Sequence, residues 1–248
     1  MYEYEGNYTE ATVLHKQMLA LRPDAPSSYI NLALAQARQK NFNEAVLTLK
    51  QGAERIPDSE LLLARLGHTY FVTGQLDPAL AAMQQVLEIN RDYFDALTVS
   101  GVILDSLGRK EAAREFFERA LVIEPENKQV RMSYALNLAT GGKISEAIQT
   151  YRLLIQDYPE ESILHQHLGI ALGMTGDYAQ AIDNLKQAIH RQPTPIAYLN
   201  LAVAYKKTGE ISEAIRYFEL YLVNPEGEDP GKVESVRMEL SNLRKTLK

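Results

Sequence analysis

Histidine is the side chain best suited to metal ligation or proton transfer near neutral pH, and the chain has five: His15, His68, His165, His167 and His190. His165 and His167 are two apart, so on a helix they point to different faces. The other three lie in distant segments with no carboxylate at ligand spacing. No metal site is expected. The chain has no cysteine, which excludes thiol catalysis, disulfides and cysteine-based zinc sites. It also has no glycine-rich phosphate loop, nucleophile elbow or paired-carboxylate motif at an interpretable place. The acidic runs at 157–161 and 225–229 read as solvated turns. The expectation is therefore a protein without cofactor and without catalysis.

Composition narrows the class further. Apolar residues make up 46% and charged residues 23% of 248 residues, too apolar for a disordered chain. The formal net charge of −6 disfavours a nucleic-acid partner, which calls for a concentrated basic surface. No apolar run approaches the roughly 18 residues of a membrane span, and the start, Met-Tyr-Glu-Tyr-Glu-Gly, is unlike a signal segment. The chain as given is expected to be soluble, in cytoplasm or periplasm, without direct membrane insertion.

What would position any working side chain is a repeat. Alanine recurs at 11, 45, 79, 113, 147 and 181, in steps of 34 residues, and again at 214 after a step of 33. In phase with it run a small column (Ala33, Gly67, Gly101, Ala135, Gly169, Ala202) and a proline column (Pro23, Pro57, Pro125, Pro159, Pro193), with Arg91 the one substitution and Pro225 one place early. Within a unit, apolar residues recur at three- and four-residue spacing in two blocks, such as Leu63, Leu66, Tyr70 and then Leu76, Leu80, Met83, Leu87, which reads as two amphipathic helices. Gly74, Gly108, Gly142, Gly176 and Gly209 mark the break between the blocks, where a helix can end in left-handed conformation. The recurrent alanine lets the two helices approach, and Tyr70 and Tyr205, with Leu104, Leu138 and Leu172 in the same column, fill the space beside it. Ala82 reads as a surface alanine. Ordering one hairpin costs roughly 1–2 kcal/mol per residue in backbone entropy, against about 1.5–3 kcal/mol returned by each buried Leu or Tyr, so neighbours must stack.

This column pattern resembles the tetratricopeptide repeat. Gly67, Tyr70, Ala79, Met83 and Val86 match it in one unit, Gly101, Ala113, Phe117, Ala120 and Pro125 in the next, and the resemblance covers residues 6–225. It implies an all-α fold: a right-handed superhelical α-solenoid of stacked helical hairpins, with thirteen helices and a C-terminal cap. The expected units are a partial repeat at 1–25, six complete repeats at 26–59, 60–93, 94–127, 128–161, 162–194 and 195–228, and a capping helix at 229–248. The early aromatic of the family is present as Tyr29 and Tyr198. Leu63, Leu97, Arg131 and His165 stand in its place elsewhere and are expected to soften those sites.

The register also speaks to the ends. Run backwards from Pro26, it puts Ala11 on the alanine column, Gly6 on the inter-helix glycine and Tyr2 on the tyrosine column. The chain is thus expected to begin inside a helix, as an excised part of a longer protein would. Tyr8, Val13, Leu14, Met18 and Leu19 would then lack cover, and the N-terminal edge is expected to self-associate or fray. Asn224 to Asp229 reads as a turn-rich link, and Asp229-Pro230 as a helix start. Val233, Val236, Leu240, Leu243 and Leu247 then form one face, with Arg237, Arg244 and Lys245 opposite.

In tetratricopeptide arrays the first helices line a concave groove. Carrying that geometry over residue by residue implies partner-binding positions at Asn31, Arg65, His68, Phe71, Val99, Val102 and Asp105, and at Met132, Leu136, His167, Ile170, Met174, Asn200, Val203 and Lys206. Ile30, Leu34, Arg38 and Val72 fall on the same face. No three consecutive units supply the family's set for gripping a C-terminal carboxylate. Its asparagine ladder survives only as Asn31 and Asn200, with Arg65, Val99, Ser133 and His167 between. The expected function is a non-enzymatic scaffold that binds a peptide or amphipathic helix of a protein partner. The alternative is the targeting or substrate-presenting part of a larger transferase or hydrolase.

Overall fold

The computed structural model describes residues 8–223 and 227–246, and among them every regular element is an α-helix. Tyr2, Gly6, Asn224, Pro225 and Leu247 lie outside the described residues. The chain divides into two compact units. In the first, Met1–Glu126, α1 (Tyr8–Leu21) precedes three helical hairpins: α2 (Pro26–Arg38) with α3 (Phe42–Arg55), α4 (Glu60–Val72) with α5 (Leu76–Ile89), and α6 (Phe94–Ser106) with α7 (Lys110–Ile123). In the second, Asn127–Lys248, the hairpins are α8 (Lys128–Thr140) with α9 (Ile144–Asp157), α10 (Ser162–Met174) with α11 (Tyr178–Arg191), and α12 (Pro195–Thr208) with α13 (Ile211–Val223); α14 (Pro230–Thr246) follows. Each unit is a stack of the same hairpin, an all-α solenoid.

The hairpin closes on small residues. Ala45, Ala79, Ala113, Ala147, Ala181 and Ala214 are all 0% exposed. A large side chain from the second helix lies over the small column of the first: a Cβ added at Gly67 would meet Met83 Cε at 2.8 Å, at Gly101 the Phe117 ring at 2.7 Å, and at Gly169 Leu185 Cγ at 2.7 Å. These distances leave no room for a methyl group.

Between the two helices the chain turns in one way each time. Gly74, Gly108, Gly142, Gly176 and Gly209 have φ between +74° and +87°, and Lys40 takes the same place at +64°. The next amide then reaches back to the carbonyl of the tyrosine or leucine column, as in Gln75 to Tyr70 (2.9 Å), Lys143 to Leu138 (2.8 Å) and Glu210 to Tyr205 (2.9 Å). That is the Schellman closure, which satisfies carbonyls the helix end leaves open.

Hairpins are joined by a second column. The Tyr29 hydroxyl donates to the Pro23 carbonyl in the preceding turn at 2.9 Å. At the same register His165 replaces it, with Nε2 3.0 Å from the Pro159 carbonyl and Nδ1 3.3 Å from Asn184 Oδ1. Arg131, again at that register, reaches Asp157 at 2.7 Å. His165 thus keeps a polar clamp on the inter-repeat turn, whereas Arg131 ties α8 to the end of α9 within its own hairpin.

First helices touch one another directly across hairpins, α2 on α4, α4 on α6, α8 on α10 and α10 on α12, and within each unit α3, α5 and α11 pack on the first helices of their own and the following hairpin, as α9 does on α8 and α10. Ala82 departs from its surface reading: α5 is covered by both α4 and α6, and Ala82 is only 5% exposed. At the start, α1 leaves Val13, Leu14, Met18 and Leu21 exposed. At the other end, Asp229 Oδ1 caps α14 by accepting from the Lys232 amide at 2.9 Å, and Val233, Val236, Leu240 and Leu243 join the core of α12 and α13.

Ala113→Leu and Ala147→Leu are each expected to cost about 1–3 kcal/mol or more in urea melts, whereas Ala81→Leu on the exposed side of α5 is expected to stay within about 0.5 kcal/mol of wild type. Lys40 is the one non-glycine with positive φ among the described residues. Because that conformation costs an L-residue about 1–2 kcal/mol, Lys40→Gly should raise stability, and an unchanged or lower urea midpoint would contradict the strain.

Candidate functional site

The side chains that face outward from the first helices are set by the hairpin geometry, and in each unit they form a lining of their own. In the first unit Asn31, Arg65 and His68 come together around a recess of ≈ 650 Å³ between α2 and α4, together with Ile30, Leu34, Arg38 and Val72. Asn31 and Arg65 are exposed and His68 is half-buried. Burial holds the His68 imidazole below its ordinary value; Asp95 on α6 opposes that shift and Arg65 adds to it.

Phe71 and Val102 are half-buried and outside this recess, and Asp105 pairs with Lys110 at 2.9 Å. Val99 departs from the expectation of a groove anchor. It is 8% exposed and belongs to the core, because α6 is covered on the α4 side as well as by α7.

In the second unit Ile170, Asn200, Val203 and Lys206 line a recess of ≈ 540 Å³. Met174 joins Ile170, Asn200 and Val203 around a smaller one of ≈ 190 Å³. Asn200 spends one amide hydrogen on the Ile196 carbonyl at 2.7 Å. The larger recess is closed on one side by α14, which contributes Lys232, Ser235, Val236 and Glu239, and Glu239 pairs with Lys206 at 2.5 Å.

Those α14 residues were not expected on this face. Their spacing of three, one and three residues was the available signal, and it was masked by the stronger apolar stripe beside it. Met132, Leu136 and His167 line neither recess. Met132 is half-buried and Leu136 is 40% exposed. His167 rests on the Tyr151 ring, centroids 5.6 Å apart, and burial lowers its pKa and raises that of the Tyr151 phenol.

Chemically, the first-helix face offers aliphatic surface with amide, guanidinium and ammonium groups at its margins. Among the described residues no group of three His, Asp or Glu side chains is placed to hold a metal ion, and no helix is long and apolar enough to cross a membrane.

The lowered histidines give a pH dependence. As pH falls through the ordinary histidine value of 6.5, the unfolded chain takes up protons that folded His68 and His167 resist. Their stabilising contribution is therefore complete above that value and lost below it. Between about pH 7.5 and about pH 5 the melting temperature should fall less for His68→Gln/His167→Gln than for wild type. Equal losses would assign the pH effect to other groups.

Comparison with known proteins agrees with the fold. Models of the tetratricopeptide repeat match residues 4–66, 38–101, 94–127, 129–161 and 168–232. The BBSome complex member BBS4 of Bos taurus is 23% identical over 188 residues, covering 75% of this chain and 36% of its own. The type IV pilus assembly protein PilF of Pseudomonas aeruginosa is 26% identical over 160 residues, covering 63% of this chain and 64% of its own. Tetratricopeptide repeat protein 13 of Homo sapiens is 28% identical over 153 residues, and the chain spans only 18% of its length. Of solved structures, PilW, described as a widely conserved type IV pilus biogenesis factor, gives a TM-score of 0.72 at 18% identity over 85% of this chain and 97% of its own. YrrB, described as a TPR protein with an unusual peptide-binding site, gives 0.66 at 18% identity over 74% of this chain and 95% of its own. At such identities the likeness is one of fold.

Proposed function

Because the chain belongs to the tetratricopeptide repeat family, we propose that it is a non-catalytic protein-interaction scaffold whose first helices take up a peptide or amphipathic helix of a protein partner. The observation that carries this reading is the recess between α2 and α4. Leu34 and Val72 are 46% and 68% exposed there, side by side with the polar heads of Asn31 and Arg65. Apolar side chains gathered on one face and rimmed by polar ones are what an interaction surface presents, and a volume of ≈ 650 Å³ lies within the range of about 300–1,000 Å³ typical of ligand sites.

The second unit repeats the chemistry with Ile170, Met174 and Val203 beside Asn200 and Lys206. Methionine, with its unbranched and polarisable side chain, adapts to guests of varied shape.

The test is affinity capture of a partner with the tethered chain, followed by variants of the face itself. Val72 and Met174 are 68% and 59% exposed, so Val72→Glu and Met174→Glu should leave helicity and melting temperature nearly unchanged. Each should nevertheless weaken capture by about tenfold or more, because a carboxylate is placed where the guest buries apolar surface. A partner retained equally by both variants would move the site off the first-helix face.

A further inference from the structure

We propose, resting on the peptide reading above, that the α2–α4 recess selects a segment of its partner in which carboxylates flank an aliphatic side chain. Three observations carry this. The recess is cationic: Arg38 and Arg65 line it with His68, and among the described residues no aspartate or glutamate does. The chain as a whole is acidic, at −6, so a recess without carboxylates runs against its composition.

The second observation is how the chain treats its other arginines. Those that join repeats are occupied by acceptors of the chain itself: Arg55 by Asp24 at 2.7 Å, Arg191 by Glu160 at 3.3 Å, Arg119 by the Arg91 carbonyl at 2.5 Å and Arg152 by Gln180 Oε1 at 2.8 Å. Arg38 and Arg65 are exposed and stand in no ion pair among the described residues. The nearest acid on the neighbouring first helix, Asp95, acts on His68 but is not part of the lining.

The third is spacing. By the 34-residue repeat Arg65 stands level with Asn31, seven residues before the level of Arg38. That is about 10 Å of helix at 1.5 Å per residue, and Ile30, Leu34 and Val72 supply the apolar surface of the same recess. An extended peptide rises about 3.3 Å per residue. Side chains of an extended peptide alternate between its two faces, so acidic residues four positions apart, about 13 Å, share a face and reach both guanidiniums, while the aliphatic side chain midway between them enters the recess. Each guanidinium donates to a carboxylate in a forked, charge-assisted pair, which sets the position of the guest along the recess as well as holding it.

The experiment is selection of binders from a random peptide display library on the full chain. One selected peptide is then measured by fluorescence polarisation against wild type, Arg38→Glu/Arg65→Glu and Val72→Glu. The expected peptides are enriched in Asp and Glu around Leu, Ile or Val, bind more weakly as salt rises, and lose about tenfold or more in affinity to the double arginine variant. Selection repeated on that variant should favour Lys and Arg.

Peptides without acidic enrichment that are still lost with Val72→Glu would overturn this proposal while leaving the peptide-binding face intact. No selected peptide at all, or peptides insensitive to both variants, would overturn both. Displacement of the peptides by a short oligothymidine would assign the recess to a phosphate backbone and overturn the proposal as well. Both arginines are exposed, and a melting curve confirms that the variant folds.

Discussion

The close approach of the two helices in each hairpin is the constraint on which everything else rests. It requires an alanine with no exposed surface on the second helix and a glycine or alanine on the first, under a large side chain that leaves no space for another methyl group. At that separation the hairpin has little interior of its own. Its remaining apolar surface is on its flanks, and only a neighbouring hairpin can cover it. The constraint thus dictates stacking within each unit. It also dictates that first helices meet first helices, which lays their outward side chains in adjoining rows. The recesses are a consequence of that adjacency rather than features added to it.

Stacking needs a second device, because the turn between hairpins exposes a carbonyl just where the next helix begins. One register handles it with two chemistries, a phenol at Tyr29 and an imidazole at His165, while Arg131 at the same register grips Asp157 at the end of its own hairpin instead. The shared requirement is a donor long enough to reach back across the turn. Identity of side chain is secondary to reach and polarity, which is why a column can look degenerate in sequence and still perform one task.

The repeat was legible because its determinants are local and one-sided. A buried alanine, a left-handed glycine and a turn proline admit few substitutes, so they recur at fixed distance. Lys40 hid one such place, since a lysine in left-handed conformation leaves no trace in composition. Burial was less legible. Amphipathic spacing tells which face of a helix turns inward but not how much of its side a neighbour covers, and so Ala82 and Val99 were placed too far out. Of the candidate site, Asn31, Arg65 and His68 came together as the family geometry implied, as did Ile170, Asn200, Val203 and Lys206. The contribution of α14 was hidden because that helix follows no repeat register, and its polar residues could be sorted only once its apolar face had found its partner.

That helix also separates the two units in what they present. In the second unit Lys206 already holds a carboxylate, Glu239, supplied by the chain itself at 2.5 Å. The margin of that recess is therefore partly neutralised, with Lys207 and Lys232 remaining beside the pair. In the first unit the recess carries two guanidiniums and no carboxylate among its described lining residues. Exposed charges without partners contribute little to folding, and charge complementarity acts mainly on how fast and how selectively a partner is met. Arg38 and Arg65 therefore have no evident part in holding the fold, whereas the arginines that join repeats do. The arginines thus differ in setting: Arg55, Arg119, Arg152 and Arg191 meet an acceptor across a repeat boundary, while Arg38 and Arg65 stand in no ion pair among the described residues.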